Sequence, residues 1–155
     1  MERELNARAL RMLAAREHSR AELRAKLAGD GATEVLEEVL DRLVELGLQS
    51  DQRFAESYVR AKGARLGGSR LRHELVRRGV AEDIVETVLS HLNSAEGAGD
   101  EFTRAREVWR KKFGEVPQDP RAWAKQARFL QSRGFSSAVI RQLLKEVSDE
   151  SAEGC

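Results

Sequence analysis

Cysteine is nearly absent. The only one, Cys155, is the last residue, so neither an internal disulfide nor a cysteine-based zinc site can form, and a reducing, cytoplasmic setting is expected. Only Pro117 and Pro120 interrupt helix formation. No apolar run approaches the roughly 20 residues that span a bilayer, and the N-terminus MERELNARAL has no apolar signal core. Neither a membrane nor a secretory route is expected. Chemistry-bearing constellations are missing as well. His18, His73 and His91 are far apart, there is no His-Glu-x-x-His and no glycine-rich phosphate loop, and Cys155 has no base beside it. No catalytic residue, metal or cofactor is expected.

What remains is a charged, Ala-, Leu-, Glu- and Arg-rich chain whose apolar residues recur with period 3.6, with no period-2 strand. Leu5, Ala9, Leu10 and Leu13 form a first stripe. Ser19 followed by Glu22 is a capping box that opens a second helix on Leu23 and Leu27, ended by Gly29-Asp30-Gly31. Thr33 is placed to cap a third. The pattern then restarts: Ser50 or Asp51 caps a helix with Phe54, Tyr58 and Val59, and Ser69 caps one with Leu71 and Leu75, ended by Gly79. It restarts again with Phe102, Ala105, Val108 and Trp109, and then Trp123, Ala127 and Leu130 before Gly134. Phe54, Tyr58, Trp109 and Trp123 are all read as core.

The third helix of each cycle carries apolar residues at relative positions 0, +1, +4, +5 and +8. They are Val35/Leu36/Val39/Leu40/Leu43, Ile84/Val85/Val88/Leu89/Leu92 and Val139/Ile140/Leu143/Leu144/Val147. Three such helices, each preceded by a short helix and a glycine, predict an all-α protein of three tandem three-helix repeats. The boundaries read as 1–49, 50–93 and 100–148, with a linker at 94–99 and a frayed tail at 149–155. Units of this size are marginal alone, so an elongated, curved array that shares apolar surface between neighbours is expected.

Charge is distributed unevenly along this pattern. Residues 1–50 hold 8 basic and 10 acidic side chains, whereas Phe54–Gly79 holds seven basic against two acidic and Arg104–Arg133 nine against three. Arg70, Arg72, Arg77, Arg78, Lys111, Lys112, Lys125 and Arg128 are the candidates for contact with a polyanion or an acidic protein surface.

Several strings resemble the RecX family of bacterial regulatory proteins. They are His18-Ser19-Arg20-Ala21-Glu22-Leu23, Asp51-Gln52-Arg53-Phe54-Ala55-Glu56-Ser57-Tyr58-Val59-Arg60, Lys111-Lys112-Phe113-Gly114 and Lys125-Gln126-Ala127-Arg128-Phe129-Leu130. The resemblance runs in order along nearly the whole chain. The chain departs from it at Gly68-Ser69, where the family often opens the helix with proline. It implies tandem three-helix repeats, no catalytic activity, and binding in the groove of the RecA recombinase–DNA filament. It further implies that filament growth, ATP hydrolysis and strand exchange are limited, damping DNA repair and the SOS response. The implied partners are the RecA filament and DNA, single-stranded first and double-stranded second, without sequence preference. A monomer is expected. The alternative reading is a direct DNA-binding, helix-turn-helix-like module with Arg72–Arg78 as recognition helix. Its lack of Asn or Gln base readers argues against that.

Overall fold

A computed structural model describes residues 1–29, 31–94 and 99–153. Among the described residues the secondary structure is entirely helical, in nine helices: α1 (Glu2–Ala15), α2 (Arg20–Leu27), α3 (Thr33–Glu45), α4 (Asp51–Lys62), α5 (Gly68–Arg77), α6 (Glu82–Leu92), α7 (Glu101–Lys112), α8 (Pro120–Ser132) and α9 (Ser137–Glu153). The all-α, three-by-three pattern of the periodicity is therefore present. None of these helices is long and apolar enough to cross a membrane. Residues 95–98 of the expected linker and Cys155 lie outside the described residues.

The chain forms two compact units: Met1–Tyr58 with Glu74–Val88 (unit 1), and Val59–His73 with Leu89–Cys155 (unit 2). Each takes part of the middle trio of helices. In unit 1 Leu5 and Ala9 of α1, Leu23 and Leu27 of α2, and Leu36, Val39, Leu40 and Leu43 of α3 close one core. In unit 2 Ala105, Trp109, Leu130, Phe135, Ile140, Leu143, Leu144 and Val147 close another. The third-helix pattern maps onto burial position by position: +1, +4, +5 and +8 are buried in α3, α6 and α9, and position 0 is half-buried in all three.

Local signals explain most helix starts. Ser19 Oγ accepts from Glu22 N (3.0 Å) and Glu22 Oε1 accepts from Ser19 N (3.1 Å), completing the capping box. Ser50 Oγ caps α4 through Arg53 N (3.1 Å), which leaves the Asp51 carboxylate to accept from Arg20 N at the start of α2 (2.9 Å). Two expected caps differ. α3 begins on Thr33 itself, after Ala32, with no side-chain cap. α5 begins at Gly68, one residue before Ser69, and the Gly68 N–H donates to Glu101 Oε1 (2.9 Å). A proline at position 68 would have no N–H to make this bond. α9 also runs to Glu153, through the segment read as a frayed tail. Ser148 Oγ bonds back to the Leu144 carbonyl (2.8 Å), and Glu150 pairs with Arg106 of α7 (2.8 Å). Trp109 is core, its Nε1 donating to the buried Gln126 (2.7 Å), but Trp123 is 39% exposed. Trp123, Gln126 and Leu130, spaced i, i+3 and i+7, share one face of α8, but Trp123 lies in the first turn, where that face is not covered.

Each unit contains a junction of the same design. In unit 1, Ser19 Oγ, just before α2, donates to the Arg78 carbonyl just after α5 (2.7 Å). In unit 2, Gly67 N, just before α5, donates to the Arg133 carbonyl just after α8 (2.7 Å). The next residue is a glycine in the left-handed region in both cases, Gly79 at φ +84° and Gly134 at φ +91°. A Cβ on Gly79 would strike Ala21 of α2, and one on Gly134 would strike Arg70 of α5. The glycine that ends one middle helix thus receives the first turn of another at backbone contact.

His18 adjoins the unit 1 junction at Ser19. His18 is buried, with Nδ1 3.0 Å from the Arg16 carbonyl, and its own carbonyl accepts from Gln49 Nε2 (3.1 Å). Burial, helped by Arg16 and Lys26, pushes its pKa below the ordinary 6.5, against the Arg16 carbonyl and Glu22. The unfolded chain therefore takes up this proton first, so the stabilisation is full above 6.5 and is lost as pH falls below it. Thermal unfolding followed by circular dichroism is expected to show Tm falling as pH drops below 6.5, before the carboxylates titrate. His18→Asn, which keeps an N–H near Nδ1, is expected to flatten that segment of the profile.

Candidate nucleic-acid interface

The sequence candidates separate by what surrounds them. In unit 1, Arg77 is exposed and has no partner among the described residues. Arg78 is already occupied. Its Nη1 meets Glu74 Oε2 at 2.6 Å, its Nε lies 4.0 Å from Glu22, and its guanidinium stacks 4.8 Å from the Tyr58 ring centroid. Burial opposes its charge, but Glu74, Tyr58 and Glu22 outweigh this and raise its pKa. Its charge is neutralised within the unit, and its side chain holds α5 against the α2 cap.

Unit 2 holds a continuous basic surface. From Pro120 to Gly134 there are four basic residues and no acidic one. α8 opens on Asp119, whose Oδ1 accepts from Ala122 N (2.8 Å), with Pro120 in its first turn. Burying Gln126 and Leu130 turns Arg121, Lys125 and Arg128, spaced i, i+4 and i+7, to one exposed stripe about 10 Å long. None of the three has a partner among the described residues. Beside the stripe, Phe129 lies edge-on to Phe113 (5.4 Å) and carries two cations on its ring: Lys112 Nζ at 5.3 Å and the Arg133 guanidinium at 4.9 Å from the centroid. Arg70 reaches the same helix end, its Nη1 donating to the Ser132 carbonyl (3.2 Å). Lys111 and Arg110 are exposed but share Glu107, at 3.8 and 2.6 Å. Arg72 is half-buried and engaged with its neighbours.

In unit 2, Lys112, Lys125, Arg128 and Arg70 therefore lie on or beside α8 together with Arg121 and Arg133, and in unit 1 Arg78 is paired internally. Arg121 was legible from the i, i+4, i+7 spacing once the helix start at Asp119-Pro120 was placed. The pairing of Arg78 with Glu22 was not, because 56 residues separate them in the chain.

The three-by-three order of helices has counterparts among known proteins. Profiles of the RecX first, second and third three-helix domains match residues 7–43, 50–89 and 99–144. This chain belongs to the RecX family. A regulatory protein RecX of Leptothrix cholodnii is 46% identical over 149 residues, covering 94% of this chain and 90% of its own. One from Chromobacterium violaceum is 42% identical over 147 residues, covering 94% and 92%. The crystal structure of RecX from Lactobacillus salivarius shares the fold with a TM-score of 0.78 at 22% identity, over 95% of this chain and 96% of that one. A second crystal structure of a regulatory protein RecX has a TM-score of 0.77 at 24% identity, over 92% and 72%.

Proposed function

We propose that this RecX family member is a non-catalytic regulator that binds the groove of the RecA–single-stranded DNA filament. By occupying it, the protein limits filament growth, ATP hydrolysis and strand exchange, and so damps recombinational repair and the SOS response. The observation that carries this reading is the acid-free α8 stripe, Arg121, Lys125 and Arg128, with Lys112 and Arg133 stacked on Phe129 beside it. Arg121, Lys125 and Arg128, on one helix face and without a partner among the described residues, suit phosphate backbone, which supplies affinity without sequence readout. Regulation then follows from occupancy, since the bound protein stands where an incoming duplex or the next recombinase protomer has to go. Recognition through α5 as a reading helix is less well supported, because Arg78 is held by Glu74, Glu22 and Tyr58.

RecA ATP hydrolysis on single-stranded DNA, titrated with this protein, tests the reading. The rate is expected to fall as the protein approaches filament stoichiometry, together with strand exchange. Unchanged hydrolysis and strand exchange at saturating protein would overturn it.

A further inference from the structure

Unit 1 leaves a cluster of aliphatic side chains in water at the end of α3. Val44, Leu46 and Leu48, within five residues, are 45, 55 and 44% exposed. The backbone that carries them is fixed: the N–H groups of Leu48 and Gln49 both bond the Leu43 carbonyl (2.9 and 3.2 Å), and Gly47 sits at φ +71°. An apolar cluster held out on a rigid turn marks an interaction site more than scattered single residues do.

The charges around it select the occupant. Glu34, Glu38, Asp41 and Glu45, spaced i, i+4, i+7 and i+11, run down the side of α3 opposite its buried Leu36, Val39, Leu40 and Leu43. Asp41 pairs with Arg20 (2.6 Å), whereas Glu34, Glu38 and Glu45 have no partner among the described residues. Residues 33–48 hold five acidic side chains against one basic, Arg42. Such a face repels phosphate, so nucleic acid is not its ligand. A second copy docked through the same face by a two-fold axis would set this acidic face against an identical acidic one. What fits is a protein segment that presents apolar side chains flanked by lysine or arginine.

We infer that the end of α3, Val44, Leu46 and Leu48 rimmed by Glu38 and Glu45, is a protein-docking face that receives such a basic–apolar segment of the recombinase. This rests on the proposed filament binding and assigns the two chemistries to different surfaces: protein contact to α3, phosphate contact to α8.

Two double variants of the full chain test it: Leu46→Ser with Leu48→Ser, and Glu38→Lys with Glu45→Lys. Affinity is measured for the recombinase filament on single-stranded DNA and for the naked strand, with sedimentation of the protein alone. Each variant is expected to lose filament affinity by about 10-fold or more. The leucine variant should keep its affinity for the naked strand, and the loss in the glutamate variant should shrink in high salt. Filament affinity unchanged in both variants overturns the docking face while leaving the proposed function standing. If the unmodified protein binds no filament, the proposed function fails instead. Self-association abolished by Leu46→Ser with Leu48→Ser would then give the face to a second copy, and a monomer would leave it without a protein occupant. Either result overturns the inference.

Discussion

Gly134→Ala is expected to destabilise unit 2 by about 2–5 kcal/mol, the sum of left-handed strain of about 1–2 kcal/mol and an overpacking term of about 1–3 kcal/mol. Gly29 provides the internal control. Its φ of +92° matches the +91° of Gly134, but an added Cβ there meets nothing within 4 Å. Gly29→Ala should therefore cost only the strain, about 1–2 kcal/mol. At Gly134 the same Cβ falls on the backbone and Cβ of Arg70, in the first turn of α5, and backbone cannot swing aside as a flexible side chain does. Gly67→Ala attacks the junction from the other side, because its Cβ would land on the Gly134 carbonyl and the Phe135 amide. Gly67 N also donates to the Arg133 carbonyl, so a shift that relieves the clash lengthens a hydrogen bond. Thermal unfolding followed by circular dichroism should show Tm lowered by roughly 10 °C or more for Gly134→Ala and by less for Gly29→Ala. Equal losses for the two would mean that the helices do not meet at Gly134.

This junction was only half legible in the sequence. Gly79 and Gly134 follow apolar stripes and so announce helix ends, because a left-handed terminus is a local matter of backbone sterics. What they receive is not local. Nothing near Gly79 names Ala21, and nothing near Arg78 names Ser19, Glu22 or Tyr58 as its neighbours. The third-helix stripes were the most legible feature, since burial on a helix follows period 3.6, and even the half-buried position 0 repeats in α3, α6 and α9. Trp123 misled because its spacing puts it on the face of Gln126 and Leu130, while its place in the first turn of α8 leaves it outside the core that covers those two, which only tertiary packing decides. Thr33 misled because a hydroxyl at a helix start fits two adjacent positions, and here the helix took it in as its first residue. For the site, composition gave the basic residues. Separating free cations from paired ones required the partners that the fold brings across from distant helices.

Lys125→Glu with Arg128→Glu is expected to weaken binding to the filament and to naked single-stranded DNA by on the order of 100-fold at low salt. Both side chains are exposed on α8 and have no partner among the described residues, so reversing them breaks nothing inside unit 2 and should leave helicity and Tm close to the unmodified values. The salt dependence supplies a readout that a general loss of folding would not imitate. Each phosphate contact contributes a slope of about −0.7 to log K against log salt on a single strand, so removing two should flatten it by about 1.4. Arg78→Glu makes the instructive contrast. It places a third carboxylate beside Glu74 and Glu22 and removes the stacking on Tyr58, so it should lower the stability of unit 1 first and affect binding only as a consequence. Charge reversal at Arg78 therefore cannot report on a contact surface, although its sequence context looks as basic as that of Arg128. Inhibition of RecA ATP hydrolysis that survives undiminished in the Lys125→Glu, Arg128→Glu variant, with an unchanged salt slope, would remove α8 from the interface.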